Sequence, residues 1–154
     1  MLTSDTFKIK INILIVKIIN NELNALFWKK KEGNDWELPG QALLYNQSFE
    51  SVCKSILSEI VNHKSLQEFN FILAGHFINE KTVELNYLCL SKKFKYSFIY
   101  NDKLKDITWV NSNKIVKFNF SADALSKNFE FIRFFILNNP EHIFYLIKNE
   151  FTLT

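Results

Sequence analysis

The chain is poor in the residues that make linkers, disulfide frameworks and membrane spans. Its 154 residues include three glycines and two prolines, and no internal repeat, low-complexity tract or interdomain linker breaks the sequence. The two cysteines, Cys53 and Cys89, stand far apart in apolar surroundings, without the paired spacing of a metal knot or a disulfide framework. That usage suits a reducing, cytoplasmic interior. Charge of neither sign dominates: 19 basic and 16 acidic residues leave a net +3. Such a balance is too mild to mark this segment itself as a nucleic-acid binder. The apolar run over residues 11–19 is interrupted by Lys17 and falls short of the about 20 residues that a membrane span needs. No small-residue cleavage site follows it, so it reads as a strand and the protein as one without a membrane partner.

Apolar and aromatic residues are plentiful. They make up 47% of the chain in the first case, with sixteen Phe among the aromatics, enough to anchor one compact core and to argue against a disordered chain. Residues 8–19 are rich in β-branched side chains and 23–30 form a second strand-like run; Asn20-Asn21 between them suits a tight turn. Gly33 and Asn34 mark a loop. Residues 36–38 are short and extended, and Pro39-Gly40 break them.

From Ser48 the period changes. Phe49, Val52, Cys53, Ile56, Leu57, Ile60 and Val61 recur at helical spacing, which predicts a helix over 48–62 with Ser48 as N-cap and Asn62-His63 as its stop. Strands are predicted again at 69–77, 82–90 and 106–110, the first two joined through residues 79–81. A second helix over 123–137, with Phe129, Ile132, Arg133 and Ile136 along it, ends before Pro140, and 141–148 form a short last helix. Strands, helix, strands, helix predict an α/β/α sandwich around a mixed β-sheet.

The lead-in Trp36-Glu37-Leu38-Pro39-Gly40, followed by this helix, resembles the core of a Nudix domain, a fold built around a pyrophosphate-cleaving helix. Laid on the chain without gaps, the Nudix box puts its first glycine on Gln41 and its first Glu on Gln47. Its Arg-Glu pair falls on Ser55-Ile56, its aliphatic on Leu57, its Glu-Glu pair on Glu59-Ile60 and its last glycine on Asn62. Leu57 and Glu59 alone match. Cleavage in that family needs Mg²⁺ or Mn²⁺ against the phosphates, and those hard cations want several carboxylate oxygens and retained waters. Helix positions three and four residues apart share a face. Here that face offers Ile56, Glu59 and Ile60, one carboxylate between two isoleucines. The supporting Glu and Arg are replaced together, by Gln47 and Ser55, so no buried charge is stranded. With three residues inserted in the loop, Glu50, Glu59, Asn62 and His63 would instead offer a weaker, softer metal set.

Glu59 reads as a solvated helix residue or a remnant ligand, His63 as a helix-end residue, Cys53 as packed core, and Trp36 as a ligand stack or a plug of the sheet. Lys29 and Lys30 end the second strand where related domains often carry an Arg near the phosphates. His76 and His142 have no acidic or Cys neighbours in sequence.

The tail adds a second resemblance. A short helix running into Phe151-Thr152-Leu153 resembles the junction in Nudix-related transcriptional regulators, in which a non-hydrolytic Nudix domain precedes a winged helix-turn-helix. Their usual Phe-Asp-His before the long helix is replaced by Phe120-Ser121-Ala122. The resemblance implies a Nudix-like domain over 1–150, with 151–154 opening a winged-helix domain absent from this chain. It implies a homodimer that binds a small-molecule effector (ADP-ribose, a nucleotide or a sugar) and reaches DNA only through that missing domain. The pocket is expected beside the helix, with Gln41, Gln47, Ile56 and Glu59 near its floor and Lys30 towards the phosphates. No catalytic residue, metal or cofactor is expected in this reading. A divergent Nudix hydrolase with Mg²⁺ or Mn²⁺ on Glu59, and a purely structural interaction domain, are the alternatives.

Overall fold

A computed structural model describes residues 7–19, 22–31, 36–61, 69–91 and 104–111, together with Glu130, which is helical. The opening strand, β1 (Lys8–Ile19), is the hub. It pairs with β5 (Thr82–Ser91) in parallel, and with β2 (Glu22–Lys30) and the short β3 (Gly40–Ala42) antiparallel. With β4 (Phe69–Asn79) and β6 (Leu104–Asn111) these make one six-stranded mixed sheet in the order β4-β5-β1-β2-β6, with β3 off that path.

β1 divides one of its edges between two partners. β2 takes the end from Val16 onward, while β3 takes Lys10 to Asn12. The segment between Trp36 and β3 therefore wedges the two strands apart. Ile13 donates its backbone N–H to the Pro39 carbonyl at 2.9 Å, and Trp28 and Glu37 exchange backbone bonds of 2.9 and 3.0 Å. Pro39 has no N–H to lose, so it sits where only an acceptor is asked for. The extended stretch expected over 36–38 thus carries on past Pro39-Gly40 into β3, because β1 presents a free edge there.

The helix α1 (Phe49–Ser58) begins where expected: the Ser48 hydroxyl accepts from the Ser51 N–H at 3.1 Å. It ends earlier, with Glu59 as C-cap and a tighter turn carrying Ile60 and Val61 into the core. Val52, Cys53, Ile56, Leu57, Ile60 and Val61 are all buried. They pack on one face of the sheet against Ile11, Ile13, Ile15, Leu26, Trp28 and Cys89. Phe49, expected on that face, is 45% exposed and tilts against Tyr87 at 6.3 Å between rings. It occupies the first turn and covers Tyr87 of β5 from outside the closed core.

The remaining strands run slightly longer than their sequence pattern. β4 and β5 extend to meet at a tight turn through Glu80, whose φ is 49°, and Asn79 pairs with Thr82. A bulge between Leu73 and Gly75 lets the strand keep its pairing over this length. The predicted Asn20-Asn21 turn, Gly33-Asn34 loop, Asn62-His63 stop, helices over 123–137 and 141–148, and the tail from 151 lie outside the described residues, Glu130 excepted. What is described is α/β, a mixed sheet with a helix on one face.

Candidate functional site

On the α1 side the five residues singled out by sequence have separate fates. Gln41 faces the helix: the Ser55 hydroxyl donates to its Oε1 at 3.1 Å. Gln47 turns back on its own loop, its Oε1 accepting from the Leu44 N–H at 2.8 Å, while Asn46 adopts a φ of 71°. That closes the connection between β3 and α1, so Gln47 and Ser55 do not form the pair that the family's Glu and Arg would. Ile56 has no exposed surface, and Ile60, its neighbour one turn on, has 1%. Glu59 is half-buried at the C-cap. Lys30 is exposed at the end of β2, its Nζ 5.1 Å above the Trp28 ring, and Lys29 stands likewise 4.9 Å above Trp36. Gln41 and α1 are brought together; Lys30 and Gln47 are held by other partners.

Among the described residues, a divalent cation does not fit this arrangement. Two of the three positions that would carry its ligands are isoleucines packed into the core, so Glu59 is the one carboxylate among the three. In the shifted alignment Glu50 is spent on Lys54 at 3.3 Å, and positions 62 and 63 are outside the described residues. Among the described residues no three His, Cys, Asp or Glu side chains come together as a metal site. Nor do the cysteines offer nucleophiles. Burial, and secondarily Glu50, pushes the Cys53 thiol up to about 12, and burial pushes Cys89 well above its ordinary value. Both stay protonated at neutral pH and inert.

The opposite face of the sheet holds a polar cluster. Side chains alternate along a strand, so Lys10, Asn12, Leu14 and Val16 of β1 turn away from α1, beside Glu84, Asn86, Leu88 and Leu90 of β5. The far half of this face is buried and apolar; the near half is polar. Asn12, 3% exposed, donates from Nδ2 to Glu84 Oε1 and to Asn86 Oδ1, both at 2.9 Å. Its own Oδ1 is buried and has no donor among the described residues. Lys10 Nζ lies 3.8 Å from Glu37 Oε2 and 4.0 Å from Glu84 Oε1, and Glu37 Oε1 accepts from the Trp28 indole N–H at 3.1 Å.

Gly40 completes the cluster from β3. It pairs with Asn12, and a Cβ there would stand 2.2 Å from Asn12 Oδ1 and 2.9 Å from Lys10 Cε. The glycine is required for close approach, not for an unusual φ. In the sequence Glu37 and Gly40 stood out only as part of the lead-in, and Lys10, Asn12, Glu84 and Asn86 did not stand out. Their signal was polar side chains at every second position in the opening halves of two otherwise apolar strands, Lys8-Lys10-Asn12 and Glu84-Asn86.

No protein-family model and no curated protein matches the sequence. Solved structures match its fold. The NUDIX domain of Shewanella oneidensis NrtR, complexed with ADP ribose, superposes with a TM-score of 0.55 at 15% identity, over 83% of this chain and 86% of that one. An ADP-ribose pyrophosphatase from Streptococcus suis does so at 0.58 and 16%, over 81% and 91%. A MutT/nudix family protein from Enterococcus faecalis matches at 0.52 and 18%, over 69% of this chain, which spans only 44% of that protein's length. At such identities the likeness is one of fold. The mixed sheet wedged open by the Trp36–Gly40 segment, with α1 on one face, is an α/β architecture of the Nudix type.

Proposed function

We propose that this domain binds a nucleotide-like or sugar-like small molecule without cleaving it, as the effector domain of a transcriptional regulator. The observation that carries the reading is the burial of Ile56 and Ile60, at 0% and 1% exposure, where the hydrolytic version of the helix would hold metal-gripping acids. A fold that has lost those acids keeps its capacity to enclose a ligand. The ADP ribose held by the NrtR domain makes that compound the first one to try. Ligand binding would control the regulator by favouring one dimer arrangement, which requires different affinities for the two states. Thermal unfolding with ADP-ribose tests binding, since a ligand of the folded state raises the midpoint. Incubation with ADP-ribose and Mg²⁺ or Mn²⁺ tests cleavage: no AMP should appear. Sedimentation of the free protein tests the dimer. A basic helix-turn-helix encoded after the Thr154 codon would support the regulatory half.

A second reading, a divergent hydrolase of nucleoside diphosphate derivatives, is favoured by the hydrolases among the fold's neighbours and by the carboxylate of Glu59. It requires metal-dependent AMP release that disappears in Glu59→Gln.

A further inference from the structure

We propose that Lys10, Asn12, Glu37, Glu84 and Asn86, over Gly40, form a binding site for the uncharged, hydrogen-bond-donating end of a ligand. The chemistry sought is a pair of adjacent N–H or O–H donors, as on a nucleobase edge or the vicinal hydroxyls of a sugar. The inference rests on the binding reading above, but puts this end of the ligand against the β1–β5 side chains turned away from α1, where Glu37 borders the split edge of β1.

The first support is the Asn12 carbonyl. It is buried, it has no donor among the described residues, and both hydrogens of its amide are committed to Glu84 and Asn86. A buried acceptor left without a donor is costly, and such groups in folded proteins call for an explanation. The oxygen lies over the notch left by Gly40, and the aliphatic stem of Lys10 covers that notch. Lys10 is held by two long ion pairs, 3.8 and 4.0 Å, and its side chain is 34% exposed. Swinging this one flexible side chain aside opens the oxygen to a ligand donor.

The second support is charge. Two carboxylates and one ammonium leave the cluster at −1, a poor place for phosphate and a good one for neutral donors. Glu37 and Glu84 are 42% and 27% exposed at their side chains, so both are within reach from solvent. The third is placement: the polar half ends where Leu14 and Leu88 begin a sealed apolar half of the same face.

The test is calorimetric titration of the wild type, Glu84→Gln and Glu37→Gln with ADP-ribose, adenosine, ribose and inorganic pyrophosphate. Glu84→Gln keeps an acceptor for Asn12, and circular dichroism checks that each variant is folded; Glu37→Gln serves should Glu84→Gln fail to fold. Glu50→Gln, on the outer surface of α1, is the control. The site predicts that adenosine or ribose binds and competes with ADP-ribose, and that the Gln variants lose about tenfold in affinity for it. Competition by adenosine alone identifies the base, and by ribose alone the sugar. Unchanged ADP-ribose affinity in both folded variants, or competition by pyrophosphate but by neither neutral probe, overturns this site and leaves the binding reading intact. A wild type that binds none of the probes overturns both.

Discussion

The two faces of the β1–β5 pair are built from the same alternating strands to different ends. Towards α1, Ile11, Ile13 and Ile15 meet Val52, Cys53, Ile56, Leu57 and Ile60 in a closed apolar layer. On the other face the same strands begin with Lys10, Asn12, Glu84 and Asn86 and turn apolar only at Leu14 and Leu88. One face is given over to apolar packing, while the near half of the other carries polar groups. Stability is thus concentrated on the α1 face, and ligand chemistry is expected where stability has been given up.

The severest way to break this contrast is to restore an acid on the α1 face. Ile56→Glu places a carboxylate where no surface is exposed and no basic residue stands in the surrounding cluster. A loss on the order of 4 kcal/mol or more is expected, read as a large drop in the urea midpoint. Gain of Mg²⁺-dependent ADP-ribose cleavage in a folded Ile56→Glu protein would show instead that this face still has room for a metal.

Next in size is Gly40→Ala, which brings a methyl to 2.2 Å of Asn12 Oδ1. The amide is fixed by two hydrogen bonds and cannot simply rotate away. Overpacking of this kind costs roughly 1–3 kcal/mol. Chemical denaturation measures it, and a loss below 0.5 kcal/mol (about the scatter of surface substitutions) would mean that the cluster is looser than its geometry.

Most of the scaffold was legible in the sequence because its signals are local. Ser48 caps the helix, the period of 3.6 sets Val52, Ile56 and Ile60 on one side, and β1 begins and ends as its β-branched run does. The wedge formed by Glu37 to Ala42 was legible only as a break, since Pro39 and Gly40 reveal nothing of the split edge of β1 that receives them. The candidate site was harder still. Gln41 lies against the helix, bonded to Ser55, but the Asn12–Asn86 contact joins residues 74 apart in sequence. Its residues signal only a change in alternation until the parallel β1–β5 register brings them side by side.

A middle-sized effect comes from the sealed face through pH. Cys53 has a folded-state value of about 12 against an ordinary 9.0, so above pH 9 the unfolded chain holds fewer protons than the folded one. Its contribution to stability is complete below pH 9 and is lost as pH rises from 9 towards 12, on the order of 1 kcal/mol per pH unit. The check is the slope of unfolding free energy between pH 9 and pH 10.5 (roughly the span in which the ordinary thiol ionises) in wild type and in Cys53→Ala. The slope should be shallower in the variant, and equal slopes would mean that the thiol is not shielded as its burial requires.

The smallest effect tests the polar half directly. Lys10 makes two ion pairs, but at 3.8 and 4.0 Å and from a side chain one-third exposed. Pairs of that length in contact with water contribute about 0–1 kcal/mol, and a methionine of similar shape retains the packing of the stem over Gly40. Lys10→Met should therefore unfold within about 0.5 kcal/mol of wild type, and raising the salt concentration should change the difference little. A loss of 2 kcal/mol or more (about the size of a hydrogen bond to a charged group) would make Lys10 a structural clamp for Glu37 and Glu84. The two faces would then both be built for stability, and the polar half would lose its standing as the place where a ligand is read.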